Sequence, residues 1–425
     1  MALQFQETHI LGDATTFATV RHLVLRGTNR EIGKKLGELA RDRYGVRLLS
    51  SPPTITHARR NYFAHNYPLH LERSCGVADA FNIHVEDESS DPMILLYNLD
   101  MDLGIGGCSV VFYPPSTTTT GHGMLSRNYD FPTGGMRQVL GLPLPAGVKP
   151  VAMTAEPYIL ELHPERGYAS LSLTSYDLLG SALDGINEKG LMVSLMADNE
   201  AEAQHSLEPT RRPSVGIYEL QIVRLLLDTC ATVEEAKQVL LQNKHYYMIR
   251  PCHYIVADRS GHSFVWEYSH MHNAEYMSDG NGKPQVVTNH PLYRYPTQAA
   301  LPSHLDTTSE ASASHTYNRY RALAERIEHA SPNYSLAFLK ETNACVFVDD
   351  ALIGSPRQSQ TAEMAPPART LWHGIYDATE LSLDISFYLR EEPHPEGTGP
   401  STAIRSEYKR FTLTPDEETC HSASC

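Results

Sequence analysis

The stretch Gly106-Gly-Cys-Ser-Val-Val-Phe-Tyr113 places a cysteine after two glycines and at the start of a strand-like run. A thiol is a nucleophile only as its thiolate, so its usual pKa of about 8.5 must be lowered by a cation or matched with a base. Cleavage of the Gly107–Cys108 bond would give Cys108 an α-amino group, a base with a pKa of roughly 7.7 to 8, beside its own sulfur. The stretch therefore predicts a nucleophile that is created at a new chain end.

Further along the chain, Arg127-Asn-Tyr-Asp130 suits the same chemistry. Its guanidinium can lower a thiol pKa and its carboxylate can hold an amine. Gly106 and Gly107 also fit, because glycine permits the strained backbone that attack on the preceding carbonyl requires. The residues alone leave a plainer alternative open: free cysteine is often only a small buried apolar side chain, and Arg127 with Asp130 would then form a surface ion pair.

Composition limits the classes of function. A length of 425 residues with 41% hydrophobic residues allows one large domain or two ordinary ones. The net charge of −15 opposes binding to nucleic acid or to an anionic membrane. The first residues lack a basic segment followed by an apolar one, and no apolar run is long enough for a membrane span. We expect a cytoplasmic protein with no membrane span and no nucleic-acid partner.

The cysteines and histidines indicate no metal centre. The seven cysteines are scattered and include no CxxC pair, which predicts reduced thiols without a disulfide framework or a zinc knuckle. Cys420 and Cys425 lie in a polar tail and are interpreted as exposed and not catalytic. The histidines form no HExxH motif, and an exposed strand end or loop explains the nearest pair, His270 and His272.

Hydrophobic patterning separates helices from strands. An apolar face at helical spacing predicts a helix over 31–40, capped by Thr28 or Asn29. After Cys108, short strand-like runs recur at 109–113, 123–127, 150–153, 159–162, 169–173, 191–195, 284–288, 370–377 and 381–388, with a hairpin turning at 258–261. Further helices are predicted over 214–228, 231–243, 317–330 and 334–341, a loop over 354–368, and a loose tail from 391. Strands grouped apart from helices predict a layered α+β fold.

Several motifs occur together and in one order. They are Gly107-Cys108, Arg127-Asn-Tyr-Asp130, Asp184-Gly-Ile-Asn-Glu-Lys-Gly-Leu191, Ala257-Asp-Arg-Ser-Gly261, Val287-Thr-Asn-His-Pro291 and Asn318-Arg-Tyr320. This set resembles the N-terminal-nucleophile (Ntn) hydrolases. It is most similar to the branch of acyl-CoA:6-aminopenicillanic acid (penicillin) acyltransferases, and more distantly to bile salt hydrolase, penicillin V acylase and acid ceramidase. Residues 26–37 and 370–377 also resemble the acyltransferase branch.

The resemblance implies a four-layer αββα sandwich made as an inactive precursor and cut by its own thiol at Gly107–Cys108. Residues 1–107 would become a leader or α chain that packs on the catalytic domain, residues 108–425, and stays associated with it. By position, Cys108 matches the nucleophile, Arg127 and Asp130 the pair that orients it, Asn289 an oxyanion donor, and Arg319 the second arginine of the site. No cofactor is implied, with acyl-CoA as a candidate co-substrate.

Two positions depart from the relatives. Ala197 stands where bile salt hydrolases carry an asparagine, so a backbone N–H or Asn199 is the candidate for the second oxyanion donor. Ser109 replaces a threonine that is common after the nucleophile. The segment Asp184-Gly-Ile-Asn187 is interpreted as a structural turn.

These observations predict an autoprocessed cysteine amidohydrolase or acyltransferase that acts on a small N-acyl amide or peptide-like substrate through a thioester on Cys108. Two alternatives stay open. One is an unprocessed, non-catalytic protein of the same fold that serves in binding or assembly. The other is a metal-dependent hydrolase, which a chelator would inactivate and a thiol-alkylating reagent would not.

Overall fold

A computed structural model describes residues 2–87, 90–96, 107–134, 154–175, 177–198, 200, 214–248, 250–269, 274–302, 312–348, 368–393 and 401–414. The helices are α1 Asn29–Tyr44, α2 Pro53–Asn66, α3 Pro68–Ala80, α4 Glu219–Thr229, α5 Val233–Gln242, α6 Ser312–Glu328 and α7 Leu336–Ala344. The strands are β1 Gln4–Leu11, β2 Val20–Gly27, β3 Gly107–Tyr113, β4 Met124–Pro132, β5 Tyr158–Pro164, β6 Ser170–Thr174, β7 Asp184–Asn187, β8 Met192–Ala197, β9 Ile217–Tyr218, β10 His245–Tyr246, β11 Cys252–Ala257, β12 Ser263–Ser269, β13 Ala274–Asp279, β14 Gln285–Val287, β15 Ala368–Asp377, β16 Ser382–Glu392, β17 Thr402–Arg405 and β18 Lys409–Thr412. Within these ranges, no helix is both long and apolar enough to cross a membrane.

Two large sheets form the centre of the molecule. The nine-stranded sheet has the order β1-β2-β5-β6-β7-β8-β11-β12-β13. The seven-stranded sheet has the order β14-β3-β4-β15-β16-β17, with β18 also paired to β16. Neighbouring strands in both sheets are antiparallel except β2 and β5, which are parallel. The mostly antiparallel pairing agrees with the strand grouping that the sequence predicts.

Alternation along β3 shows how the layers stack. Successive strand residues point to opposite faces of a sheet. Val110 and Phe112 join the core that includes residues of the nine-stranded sheet, and β3 lies against β8 of that sheet. Val111 and Tyr113 join a separate core with Leu323 and other residues of α6 and α7. The strand that carries Cys108 is therefore covered on both faces.

Helices cover the outer faces of both sheets. Leu23 and Leu25 of β2 pack with Ile32 and Leu36 of α1, and α4 lies on β7 and β8. On the other side, α6 lies against β3 and β14, and α7 lies against β4. The order helix, sheet, sheet, helix confirms the predicted αββα sandwich.

Local signals locate several elements correctly. Thr28 caps α1, because its hydroxyl accepts from the Glu31 backbone N–H while the Glu31 carboxylate accepts from the Thr28 N–H. Thr232 caps α5 in the same way through its hydroxyl. The hairpin of β11 and β12 turns where the sequence predicts, with Gly261 at a φ of 95° that favours glycine.

Other boundaries differ from the predictions because long-range pairing overrides local pattern. The helix predicted from Ser214 begins at Glu219, since Ile217 and Tyr218 pair with residues 245–246. The tail predicted to be loose from 391 contains β17 and β18, which pair with β16. Strand β1 had no predicted counterpart. The expectations for 150–153, 354–367, His270, His272, Cys420 and Cys425 fall outside the described residues.

Residues that precede Cys108 are built into the fold. Strands β1 and β2 belong to the nine-stranded sheet, and β2 pairs with β5 from Arg21 opposite Tyr158 to Gly27 opposite Pro164. Arg73 of α3 lies 2.5 Å from Asp228 of α4, and both side chains are 0% exposed. The segments before and after Cys108 thus share a sheet and a buried ion pair.

The Asp228 carboxylate is expected to matter strongly for stability. It also accepts from Tyr67 and lies 3.5 Å from Arg224, so Asp228→Ala leaves two buried guanidinium groups without their counter-charge. We expect the free energy of unfolding to fall by about 3 to 5 kcal/mol, measured by urea denaturation. Asp79→Ala, which breaks the largely exposed pair with Arg30, should cost no more than about 1 kcal/mol; equal losses in the two variants would contradict the prediction.

Candidate active site

Cys108 is the second residue of β3, which forms a hairpin with β4 in the seven-stranded sheet. Its side chain is buried. Cys108 pairs with Tyr129 of β4, and Gly107 pairs with Asp130. Its backbone N–H donates to Asn289 Oδ1 over 2.7 Å. A Cβ atom on Gly107 would lie 3.1 Å from Asp130 Oδ2 and 3.4 Å from an Arg319 nitrogen. Glycine at 107 therefore lets a carboxylate and a guanidinium approach the peptide bond before Cys108 closely.

Arg127 lies between the two sheets. Its Nη2 is 3.8 Å from Cys108 Sγ and donates to the Leu195 carbonyl oxygen over 3.1 Å. Its Nη1 is 2.5 Å from Asp184 Oδ2. Burial disfavours the charged guanidinium, but Asp184, Cys108, Tyr129 and Tyr376 together outweigh it and raise the pKa of Arg127, with Asp184 the largest of these four. A permanent positive charge therefore faces the sulfur.

Asp130 and Arg319 lie on the other face of the hairpin. Asp130 is three residues after Arg127, so strand alternation turns it toward α6. Its Oδ1 accepts from Thr370 over 2.6 Å, and its Oδ2 is 3.7 Å from Arg319 Nη1. Arg319 donates to the Cys108 carbonyl oxygen, to Ser109 Oγ over 2.8 Å and to Asn289 Oδ1 over 2.8 Å. Arg319 thus holds the backbone of the nucleophile candidate.

The side chain of Asn289 contacts both Cys108 and Ala197. Its Oδ1 accepts from the Cys108 N–H and from Arg319, which identifies this end as the carbonyl. Its Nδ2 donates to the Ala197 carbonyl oxygen over 2.9 Å. Because an amide nitrogen carries two hydrogens, this bond uses one of them. The backbone N–H of Asn289 donates to Thr316 Oγ1 over 2.8 Å, which fixes the loop to α6.

A backbone group lies where the sequence left the second oxyanion donor uncertain. The Ala197 N–H lies close enough to the Cys108 sulfur to lower the pKa of the thiol, while the carbonyl of the same residue accepts from Asn289. Of the two candidates, the backbone N–H of Ala197 is thus next to the sulfur. Asn199, the other candidate, lies outside the described residues.

The thiol of Cys108 is neutral in the uncleaved chain. Burial raises its pKa above the usual value, and Asp130 adds to this effect, while Arg127, Arg319 and the Ala197 N–H act in the opposite direction. Burial likewise raises the pKa of Asp130, against Arg319 and Thr370. Reaction of the thiol consequently requires a base to take its proton.

The structure brings five of the six predicted site residues together: Cys108, Arg127, Asp130, Asn289 and Arg319. It also adds two residues that the sequence missed, Asp184 beside Arg127 and Tyr376, whose hydroxyl donates to Asp184. Asp184 stood in a segment interpreted as a turn, but Asp184–Asn187 forms strand β7, and the turn follows it, where the Asn187 side chain accepts from the Lys189 and Leu191 N–H groups. No local signal connects Asp184 or Tyr376 with Arg127.

Two other features of the described residues bear on the chemistry. None of their His, Cys, Asp and Glu side chains forms a group of three or more that could hold a metal ion. The five cysteines among them, including Cys108, are free thiols.

The αββα sandwich, with a cysteine after glycine at the start of a central strand and an arginine against its sulfur, defines an Ntn hydrolase. Within this class, the chain belongs to the acyl-coenzyme A:6-aminopenicillanic acid acyl-transferase family, whose model matches residues 119–387. The matched range contains Arg127, Asp130, Asn289 and Arg319 and begins after Cys108.

Individual relatives are more distant. Penicillin V acylase of Pectobacterium atrosepticum is 26% identical over 138 residues, which cover 30% of this chain and 35% of the relative. The chain thus matches about a third of the length of that curated relative.

Solved structures overlap with the chain at low scores. A mutant of conjugated bile acid hydrolase from Clostridium perfringens has a TM-score of 0.43 at 15% identity, over 73% of this chain and 99% of the other. Penicillin V acylase from Agrobacterium tumefaciens has a TM-score of 0.38 at 20% identity, over 66% and 82%. The N-acylethanolamine-hydrolyzing acid amidase ortholog of Caenorhabditis elegans has a TM-score of 0.33 at 14% identity, over 64% and 92%. Overlaps at this level define neither a shared site geometry nor a shared substrate.

Proposed function

We propose that the protein cleaves itself at Gly107–Cys108 and then acts as an amidohydrolase or acyltransferase on small N-acyl amides, through a thioester on Cys108. The observation that carries this proposal is the setting of Cys108. Its backbone N–H is held by Asn289, its sulfur faces Arg127 at 3.8 Å, and its preceding peptide bond lies against Asp130 and Arg319.

Self-cleavage follows from the position of the thiol at that peptide bond. The Cys108 thiol gives its proton to water, the thiolate attacks the Gly107 carbonyl carbon, an S–C bond forms, the C–N bond breaks, and the released nitrogen takes a proton from water. Water then hydrolyses the thioester, leaving a carboxylate on Gly107 and a free thiol with an α-amine on Cys108. Arg319, which donates to the Cys108 carbonyl, and Asp130, beside Gly107, would hold the peptide bond in place.

Turnover uses the same groups with the new amine as the base. The amine takes the thiol proton, the thiolate attacks the substrate carbonyl, and the negative oxygen that develops accepts from Asn289 Nδ2 and the Ala197 N–H. The protonated amine then gives its proton to the leaving nitrogen. Arg127 stabilises the thiolate, and Asn199 stays a further candidate donor.

Hydrolysis and acyl transfer differ only in the last acceptor. Water resolves the thioester to an acid, whereas a second amine resolves it to a new amide. An acyl-CoA thioester would enter this scheme as an alternative acyl donor to the same sulfur, with no resident cofactor.

The two fragments are proposed to stay together as an α chain of residues 1–107 and a β chain of residues 108–425. The pairing of β2 with β5 and the buried ion pair of Arg73 with Asp228 support this arrangement. Separation would expose a sheet edge and two buried charges, which is costly.

The rate of self-cleavage is expected to increase as the pH rises. Since burial raises the pKa of the Cys108 thiol in the uncleaved chain, the thiolate fraction should grow roughly tenfold per pH unit between pH 6 and 8. The rate measured on denaturing gels, from chain freshly made in a cell-free system, should follow this slope until the thiol titrates. A rate that is independent of pH over this range would contradict attack by the thiolate.

The function is tested by incubating the purified protein with N-acyl amides, starting with penicillin V because a relative is a penicillin V acylase, and measuring the released amine. We expect amine release that iodoacetamide abolishes as Cys108 becomes alkylated. A parallel reaction with acyl-CoA and a free amine would reveal acyl transfer as new amide. Amine release that persists after complete alkylation of Cys108 would overturn the proposal.

A further inference from the structure

Four groups contact the buried guanidinium of Arg127. Its Nη2 contacts the Cys108 sulfur and donates to the Leu195 carbonyl, its Nη1 contacts Asp184, and its carbon lies 4.9 Å from the centre of the Tyr129 ring. The side chain is 1% exposed. These contacts orient the guanidinium toward the sulfur.

Asp184 and Tyr376 provide the anchor for this orientation. Asp184 lies on β7 of the nine-stranded sheet and approaches Arg127 with Oδ2, while its Oδ1 accepts from the Tyr376 hydroxyl. Tyr376 lies on β15, where Gly374 is opposite Arg127 and Tyr376 opposite Leu125. Arg127 and Tyr376 are therefore neighbours on one face of the seven-stranded sheet, and both contact the Asp184 carboxylate of the facing sheet. Asp184 and Tyr376 are 2% and 0% exposed, so water does not weaken these contacts.

We propose that Asp184 and Tyr376 are positioning residues, which hold the Arg127 guanidinium against the Cys108 sulfur from across the two sheets. This inference rests on the proposed function, in which Cys108 is the nucleophile. Neither residue reaches the sulfur itself, and both act through Arg127.

The hydroxyl of Tyr376 has a predictable effect on the thiol. Its loss removes one of the two contacts that orient Asp184, and it also leaves more of the carboxylate charge to neutralise Arg127. Both effects weaken the positive field at the sulfur, and neither changes the net charge of the site. The other charged or titratable groups around the thiol are Asp130 on β4, Arg319 on α6, Cys252 on β11 and, after cleavage, the α-amine of Cys108; Tyr376→Phe leaves all of them in place.

The test compares Tyr376→Phe with a matched control, Tyr218→Phe. Tyr218 is also fully buried, and its hydroxyl also donates to a fully buried carboxylate, Asp177, which accepts in addition from the Leu95 and Leu179 N–H groups. Both variants lose one buried tyrosine–aspartate hydrogen bond, so the control accounts for general effects on folding. The readouts are the pH at which iodoacetamide alkylation of Cys108 is half-maximal, followed by peptide mass, and kcat and KM on an N-acyl amide.

In Tyr376→Phe we expect the alkylation midpoint to rise by about half a pH unit or more and kcat to fall by roughly tenfold, with KM within about twofold of wild type. In Tyr218→Phe the alkylation midpoint, kcat and KM should all stay at wild-type values. A Cys108 that reacts normally in both variants would refute the positioning role and leave the proposed function intact. A wild-type Cys108 that does not react at all, in a protein that still releases amine, would refute the nucleophile assignment and the positioning role with it.

Discussion

Replacing Cys108 with alanine is expected to leave the protein as one 47.4 kDa chain that releases no amine from N-acyl amides. Wild type should instead give two fragments, residues 1–107 and 108–425, on a denaturing gel and by intact mass. The substitution removes the only atom that the mechanism allows to attack the Gly107 carbonyl, and with it the α-amine that would act as the base. Both processing and turnover are lost together, which makes this the largest effect predicted.

Two further variants sharpen this result. Cys230→Ala removes a buried free thiol that lies at the end of α4 and should process and turn over like wild type. Cys108→Ser should cleave slowly and lose at least about 100-fold in kcat, because an alcohol is a much weaker nucleophile near neutral pH. Two fragments from Cys108→Ala, or wild-type kcat from Cys108→Ser, would contradict the thiolate mechanism.

The gel and the activity measurements together distinguish the alternatives that the sequence leaves open. A wild-type chain that stays intact and releases no amine would favour the non-catalytic binding or assembly protein. An intact chain whose amidase activity survives alkylation and is lost with a chelator would favour a metal-dependent hydrolase. Only the cysteine mechanism requires the chain break and the thiol dependence in one protein.

The local sequence predicted the part of the site that lies on strands β3 and β4. Cys108, Arg127 and Asp130 lie on a hairpin of neighbouring strands, so strand alternation and short spacing decide where their side chains point. The αββα order could also be predicted from the sequence, because runs of strands and helices are separated along the chain and the motifs occur in a recognisable order. Asn289 and Arg319 came from family resemblance, since nothing near them in sequence relates them to Cys108.

Contacts across the sheets were not predictable in this way. Asp184 reaches Arg127 from the facing sheet, and Tyr376 reaches Asp184 from a strand far along the chain. Such contacts depend on how the two sheets lie against each other, which no local pattern specifies. The same reason explains β9, since its two residues look helical in sequence but pair with β10.

The proposed second oxyanion donor, near Ala197, was hard to predict for a different reason. Sequence comparison looks for a side chain, and alanine has no donor to offer an oxyanion. The backbone N–H of any residue except proline is a donor, and here that of Ala197 lies close enough to the Cys108 sulfur to lower the pKa of the thiol. A departure from the side-chain pattern of relatives therefore does not imply a missing hydrogen-bond donor.

The second large effect is expected from Asn289, because its side chain contacts the Cys108 N–H, Arg319 and Ala197 together. Loss of a single oxyanion donor typically costs about 100- to 1,000-fold in kcat. We expect the decrease in kcat for Asn289→Ala to lie in this range. It is measured on the processed fraction with an N-acyl amide. Asn289→Asp keeps the oxygen that accepts from the Cys108 N–H but replaces the Nδ2 donor with an acceptor.

The aspartate variant consequently separates the two ends of the Asn289 amide. If donation from Nδ2 is what turnover needs, Asn289→Asp should lose at least as much kcat as Asn289→Ala, although it retains the acceptor for Cys108. Asn343 offers a matched control, since it is a fully buried asparagine whose hydrogen bonds go to Ser126 and Asn128 on the outer face of β4. Asn343→Ala should lower the free energy of unfolding by about 1 to 3 kcal/mol and leave kcat within a few fold of wild type. A kcat for Asn289→Asp close to that of wild type would assign Asn289 to holding Cys108 alone and would leave the Ala197 N–H as the oxyanion donor.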